Sequence, residues 1–349
     1  VIPAAMAVGE SIGASGKAVV AAMVSGYETM IRISLATGPN ASRSRGWHLT
    51  GTTGTFGAAA AAGNLLGLDG EQMASALGMA GTQSAGLWAF TADGAMSKRF
   101  HPGRAAQSGV MAALLARMGF RGPTQILEAT DGGFCKATSD QTDLSLITEG
   151  LGSRFLCRDV NIKPYACCAS AHSAIDAVLE LRKRHRFSPS DVERIRVKTA
   201  EGVKLQCGFE YRALGTVQAQ MSLQYIVAVS LLDGQAMPEQ FADARIAEPQ
   251  VLALAGHVEI VADPEMNRLY PEHYANKVEI LLKSGQRLEA RVDDARGSVE
   301  SPIGFPEIAE KFRSLAAPVI GVDRTDVFID TVESLELLDD IGELTRMLA

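Results

Sequence analysis

The chain has no metal-ligand spacing: its five cysteines, Cys135, Cys157, Cys167, Cys168 and Cys207, form no CxxC pair and have no CxxH companion, and no HExxH occurs. A disulfide framework and a zinc site are therefore not expected, and reduced thiols and no bound metal are. GxSxG is missing too, which removes the strand-turn-helix nucleophile of a serine hydrolase. The stretch GASGKA from Gly13 to Ala18 lacks the first glycine of a phosphate-binding loop and puts Ala18 where a magnesium-binding hydroxyl belongs. No GxGxxG follows a strand either, so no nucleotide cofactor is expected, nor any other. Excess positive charge is absent: the formal net charge is −7, with no basic tail. That leaves no electrostatic reason to bind nucleic acid or an anionic membrane. Apolar runs such as Gly57 to Leu66 and Val110 to Leu115 are too short and too interrupted by glycine to span a bilayer. No charged-then-apolar signal opens the chain, and a cytoplasmic protein is expected.

What the chain does have is alanine, glycine and helical periodicity. Its 349 residues are 47% hydrophobic and only 6% aromatic, with 34 glycines, a composition for helices packed closely through small side chains. The expected fold is mainly α. Residues 1–156 read as a helical bundle, in which AAMAVGE, GKAVVAAMVSGYETMIRISLA, TGTFGAAAAAGNLLGL, EQMASALGMAGTQSAG, GRAAQSGVMAALLARMG and PTQILEA each repeat apolar residues three and four apart. Residues 157–299 read as a smaller α+β domain, with helices at Ser170 to Arg184, Gln220 to Leu232 and Pro249 to Leu254. Strands are expected at Val192 to Lys198 and His257 to Val261, and a hairpin in NKVEILLKSGQRLEARV. Helices on one face of a mainly antiparallel sheet are the expected arrangement. Helical pattern returns from about residue 300 to 349 and is expected to complete the first domain. The opening VIPAAMAVGE is amphipathic helix with no capping residue before it, from which a truncated or unobserved N-terminal segment is expected.

Three segments carry candidate chemistry. In RGWHLTGTTGTFGAAAAAGNLLG, His48 precedes a helix that Thr50 or Thr52 would cap, and a carboxylate could dock on the exposed N–H groups of that helix. The plain alternative is a histidine in a turn. In GAMSKRFHPGRAAQSG, Lys98, Arg99, His101 and Arg104 fall within seven residues, and Pro102 suits the first position of a helix. A basic loop feeding a helix start suits an anionic substrate, although a charge run can simply face water. In DVNIKPYACCASAHSAIDAV, Lys163 ends an extended segment and His172 opens a helix, while Cys167 and Cys168 suit buried small hydrophobes.

Taken in order, GWHLTGTTGTFGAAAAAGNLLGL, MSKRFHPGRAAQSGVMAALLARMGFRGP, IKPYACCASAHSAIDA and MSLQYIVAVSLLDG resemble the MmgE/PrpD family. That family includes 2-methylcitrate dehydratase, cis-aconitate decarboxylase and iminodisuccinate epimerase. The resemblance implies an all-helical domain completed by the C-terminal end, a smaller α+β lid domain and a homodimer. It also implies a cofactor-free lyase or epimerase acting on a small di- or tricarboxylic acid by proton abstraction beside a carboxylate. Its positions mark His48, Lys98, His101 and Lys163 as catalytic, and Arg104, Cys168 and His172 are taken as substrate-binding. The decarboxylase branch has a histidine where Cys168 stands and a tyrosine near Gly202, so a 2-methylcitrate dehydratase-like reaction is expected. A family motif with Asp, Thr and His lies upstream of Val1. A member without it would be a carboxylate-binding protein with no catalysis.

Overall fold

A computed structural model describes residues 1–92 and 94–348. The chain is mainly α with a small mixed sheet, and divides into two compact units. The first comprises Val1–Phe90, Met96–Asp159 and Ala316–Ala349; the second comprises Thr91–Ala95 and Val160–Leu315.

The first unit opens with α1 (Ile2–Ile12), α2 (Gly16–Ala36), α3 (Pro39–Ser44), α4 (Leu49–Leu65), α5 (Gly70–Thr82), α6 (Ser97–Arg117) and the short α7 (Phe134–Thr138). Local signals set several of these ends. Gly13 closes α1 in a left-handed conformation, the Ser15 hydroxyl accepts from Ala18 N–H to start α2, and Asp69 and Gln72 form a capping box on α5. Helix α4 is the hub. Every residue from Gly51 to Gly63 is buried, and α1, α2, α5 and α6 all pack against it, so that run has no side facing water. Backbones meet there because side chains are small: a Cβ on Gly57 would lie 2.7 Å from the Gly26 carbonyl, and one on Gly109 would lie 2.5 Å from Ala58 Cβ. Phe56 is the one large side chain in that run, and it meets Phe134 edge-on at 4.9 Å in a cluster with Ile33, Met79 and Cys135.

Helix α2 is long and apolar enough to cross a membrane by length and composition. Its neighbours are nevertheless protein. Glu28 and Arg32 are buried on it as an ion pair at 3.0 Å. Arg32 also donates to the carbonyls of Glu149 (2.7 Å) and Arg154 (2.8 Å), and Glu28 accepts from Cys157 N–H (2.7 Å). One buried pair thus supplies the polar partners of a segment, 144–157, that has only 3-10 turns of its own.

The second unit contains α8 (His172–Arg184), β1 (Val192–Thr199), α9 (Glu201–Cys207), α10 (Thr216–Met221), α11 (Leu223–Asp233), α12 (Asp243–Ile246), α13 (Pro249–Ala255), β2 (Val258–Ala262), α14 (Pro264–Leu269), β3 (Asn276–Leu282) and β4 (Arg287–Val292). Sheet order is β2-β1-β3-β4. The pairs β1–β3 and β3–β4 are antiparallel, whereas β1–β2 is parallel. The sheet is therefore mixed, because the chain between β1 and β2 makes the long helical crossover that a parallel pair needs. Strand β3 alternates, burying Asn276, Val278, Ile280 and Leu282, and α8 packs on β3 and β4. Asn276 Nδ2 donates to Ser173 Oγ (2.6 Å), and Ser173 donates to the Tyr274 carbonyl (2.5 Å), a buried polar knot that pins the start of α8 to the sheet. The opposite alternation carries charge, pairing Arg196 with Glu259, Lys198 with Glu279 and Lys277 with Glu289. The chain ends with α15 (Phe305–Ile320), α16 (Val322–Glu333) and α17 (Gly342–Arg346), and the division between units falls within α15.

Four local expectations fail. The stretch PTQILEA forms turns rather than a helix. Neither Thr50 nor Thr52 caps α4: His48 holds that position without a side-chain cap, and Thr52 and Thr53 bond back to the Leu49 carbonyl inside the helix. Pro102 is not at a helix start, since α6 begins five residues earlier at Ser97 and the basic residues lie on its first turns rather than in a loop. The helix expected from Gln220 is broken at Ser222, whose hydroxyl accepts from Tyr225 N–H and starts α11 afresh.

Candidate proton-transfer site and family

In the first unit, a short backbone ladder positions the key ring. His48 N–H donates to the Gly86 carbonyl (3.0 Å), Trp88 N–H donates to the Gly46 carbonyl (2.8 Å), and Trp47 bridges Leu87. His48 and Trp88 are thereby held on adjoining lengths of chain. The first turns of α6 bring His101 beside them. Space for its ring exists because two neighbours are glycines: a Cβ on Gly51 would lie 3.2 Å from His101 Cβ, and one on Gly86, at φ +132°, 3.2 Å from His101 Nδ1.

The outcome is a direct imidazole pair, with His48 Nδ1 2.9 Å from His101 Nδ1. Only one proton fits between two nitrogens at that distance, so one ring donates and the other accepts. The donor ring, if neutral, has a bare Nε2, and the acceptor ring has an Nε2–H. A neutral pair therefore offers one proton acceptor and one proton donor together. Its surroundings keep it neutral. Burial, reinforced by Lys98, His101 and Arg43, pushes His48 down to about 4, and burial together with Lys98 lowers His101. Trp88 and Phe90 wall the His48 ring edge-on at 5.2 and 5.3 Å, Arg43 lies 4.0 Å over Trp88, and the Lys98 ammonium lies 5.9 Å from the Phe90 ring centre.

In the second unit, Ile162 N–H donates to the Gly297 carbonyl (2.7 Å), holding the extended segment that ends at Lys163. Lys311 reaches the same segment and donates to the Lys163 carbonyl (2.5 Å). Burial, and then Lys163, lowers the Lys311 ammonium. His172 is buried at the start of α8, edge-on to Tyr165 at 5.2 Å, and its Nε2 has no hydrogen-bond partner. Burial and the charge of Lys163 push it down to about 4. Cys168 lies half-buried just before this helix, 3.6 Å sulfur to sulfur from Cys207.

His48, Lys98 and His101 thus come together in the first unit, and Lys163, Cys168 and His172 share a neighbourhood in the second. Arg104 does not join the first group: it is exposed and donates to Gln107 (2.8 Å). Anion docking on the start of α4 is also narrowed, because Gly51 and Thr52 N–H both donate to the His48 carbonyl. Arg43, Trp88, Phe90 and Lys311 were not singled out in the sequence. Trp47 and Trp88, the only two tryptophans in the chain, were the available signal for the first group. Lys311, far along the chain in an ordinary amphipathic helix, had none. Among the described residues, no group of three or more His, Cys, Asp or Glu side chains converges as a metal site would need.

Two histidines held neutral have a measurable consequence for stability. His48 and His172 titrate near 4 when folded and near 6.5 when unfolded, so below pH 6.5 the unfolded chain binds protons first. Their contribution is complete above pH 6.5 and is lost as pH falls toward 4, about 3 kcal/mol at most for each. Urea midpoints measured from pH 7.5 down to 4.5 should fall, and fall less steeply in His172→Gln. Equal slopes in the two proteins would contradict the assignment.

The mainly helical chain, with its small mixed sheet, thus carries in each unit an imidazole lowered by burial and by a nearby lysine, His48 with Lys98 and His172 with Lys163. The chain belongs to the MmgE/PrpD family: the N-terminal domain profile matches residues 1–147 and the C-terminal domain profile residues 165–337. It is 31% identical to a cis-aconitate decarboxylase of Aspergillus terreus, over 100% of this chain and 75% of that protein. To the human cis-aconitate decarboxylase it is 30% identical, over 86% of this chain and 63% of the relative. To a 2-methylcitrate dehydratase of Cupriavidus necator it is 26% identical, over 72% and 54%. By their names, these relatives are lyases of two kinds, and the identities do not favour the dehydratase expected from Cys168 and Gly202.

Proposed function

We propose that the chain acts as a lyase on a small di- or tricarboxylic acid, moving a proton at a carbon beside a carboxylate. The observation that carries this reading is the Nδ1-to-Nδ1 contact of His48 and His101 at 2.9 Å, next to Lys98. Either loss needs what that pair offers. In dehydration, a base takes the proton from the carbon beside the carboxylate as hydroxide leaves with a proton from an acid. In decarboxylation, the bond to one carboxylate breaks, CO₂ leaves, and the electron pair left behind must be quenched by a proton delivered to carbon. Lys98, beside the pair, supplies positive charge for a carboxylate and for the enolate-like charge that develops. Burial, with help from Lys98, keeps both imidazoles uncharged, so that the acceptor nitrogen stays available at neutral pH.

Decarboxylation is supported by the names of the relatives at 30% identity or more, and dehydration by those at 26%. The deciding experiment incubates the protein in D₂O with cis-aconitate, 2-methylcitrate, citrate and iminodisuccinate in turn, followed by proton NMR. Conversion of cis-aconitate with one deuteron placed on carbon is the expected result, and loss of water from 2-methylcitrate instead would identify a dehydratase. No exchange or conversion of any acid, with thermal stabilisation by the acids retained, would replace the enzyme with a carboxylate-binding protein.

A further inference from the structure

Two sulfurs in the second unit lie in direct contact. Cys207, the last residue of α9, is fully buried, and its thiol points at Cys168 with the sulfurs 3.6 Å apart. A disulfide needs about 2.05 Å, so the pair is roughly 1.5 Å from bonding distance. The two partners differ in character. Cys168 is half-buried, in the residue before the 3-10 turn Ala169–Ala171, with Gln206 Nε2 at 3.9 Å from its sulfur. Cys167, one residue away, is buried and makes only a 3.8 Å contact with the Cys168 carbonyl.

We infer that Cys168 and Cys207 are a peroxide-sensitive dithiol, which oxidation closes into a disulfide and reductant reopens. The protonation states agree with the geometry. The hydrogen bond from Cys207 outweighs burial and, with help from Ser170 and Lys163, pulls Cys168 below the ordinary thiol range, whereas burial pushes Cys167 far up. Thiolate is the nucleophilic form, so Cys168 attacks and Cys167 does not. In the first step, the Cys168 thiolate attacks one oxygen of hydrogen peroxide, the O–O bond breaks, and hydroxide takes up a proton to leave as water, giving a sulfenic acid. In the second, the Cys207 sulfur attacks the Cys168 sulfur, the S–O bond breaks, and the hydroxyl leaves as water with the Cys207 proton. Two thiols lose two electrons, the peroxide gains them, and two waters form.

Closure draws together the C-terminal end of α9 and the turn that places His172 four residues after Cys168. With Lys163 catalytic and His172 substrate-binding, as the family resemblance implies for the proposed lyase, oxidation lowers turnover. The test treats the full chain with one to a few equivalents of hydrogen peroxide, alkylates it with iodoacetamide and maps the peptides by mass spectrometry. A linked pair of peptides carrying Cys168 and Cys207, two hydrogens lighter and separated by dithiothreitol, is expected, with Cys135 and Cys167 alkylated once the chain is unfolded. Turnover should fall at least tenfold and recover with dithiothreitol. In Cys207→Ser, Cys168 should go on to a sulfinic acid that dithiothreitol does not reverse. Full alkylation of Cys168 after peroxide, or linkage to any other cysteine, overturns the dithiol. Linkage with unchanged turnover overturns the switch. If the untreated protein converts no acid, it is the proposed function that fails, and the peptide map still decides the dithiol.

Discussion

Replacing His48 by alanine should lower turnover at least about a hundredfold, the usual contribution of a positioned acid or base. The loss should appear in kcat rather than KM, because the ring is buried and touches His101 rather than presenting charge to a ligand. His101→Ala should cost about as much, and the double variant little more than either single one, since each removes the same shared proton. Lys98→Ala is the more informative companion. Lys98 lowers both imidazoles, so its removal should move the acid limb of the kcat/KM profile to higher pH as well as weaken turnover, whereas Lys98→Arg should hold the limb in place. Steady-state rates from about pH 4 to 9 on the acid identified by NMR check all five variants. Wild-type turnover in His48→Ala would remove the pair from the chemistry.

For stability, the largest expected effect lies far from this pair. Arg32→Ala should destabilise the first unit by about 3–5 kcal/mol, because it leaves the buried Glu28 carboxylate without its ion partner. It also strips the carbonyls of Glu149 and Arg154 of their donors, so segment 144–157 should become the first part of the chain to exchange its amide hydrogens. Replacing both partners, as Glu28→Gln with Arg32→Met, should cost clearly less than Arg32→Ala alone, since no uncompensated charge stays behind. Urea unfolding at pH 7 ranks the variants. A double variant as unstable as the single one would mean that the arginine's backbone contacts matter more than the ion pair.

Both features show what periodicity can and cannot reveal. The long helices and the alternating strands of the second unit were legible because each is a local repeat with its own start and stop signals, as with Asp69 and Gln72 on α5. The histidines and lysines stood out because they cluster, with Lys98, Arg99, His101 and Arg104 falling within seven residues. Their geometry was not legible. His48 and His101 are 53 residues apart, and their contact depends on glycines at 51 and 86 that look like ordinary loop or helix glycines in the sequence. Pro102 misled because proline marks helix starts on average, and here it is carried inside one. Arg104 is three residues from His101 and still faces water, while Lys311 arrives from 148 residues beyond Lys163. Glu28 and Arg32 lie one turn apart on α2, and no sequence pattern reports which face of a helix a later segment will cover.

Helix α4 also bears on how such a chain can change over evolutionary time. From Gly51 to Gly63 its neighbours press on it from every side, and a single added methyl at Gly57 already meets a carbonyl at 2.7 Å. Variation inside that helix is nearly closed, because each larger residue would demand matching retreats in α2 or α6 at the same time. New substrate preferences are therefore expected to be written at its rim, in the lengths around residues 43–48, 86–90 and 97–101, where a single replacement alters the surroundings of His48 without moving the frame that holds it.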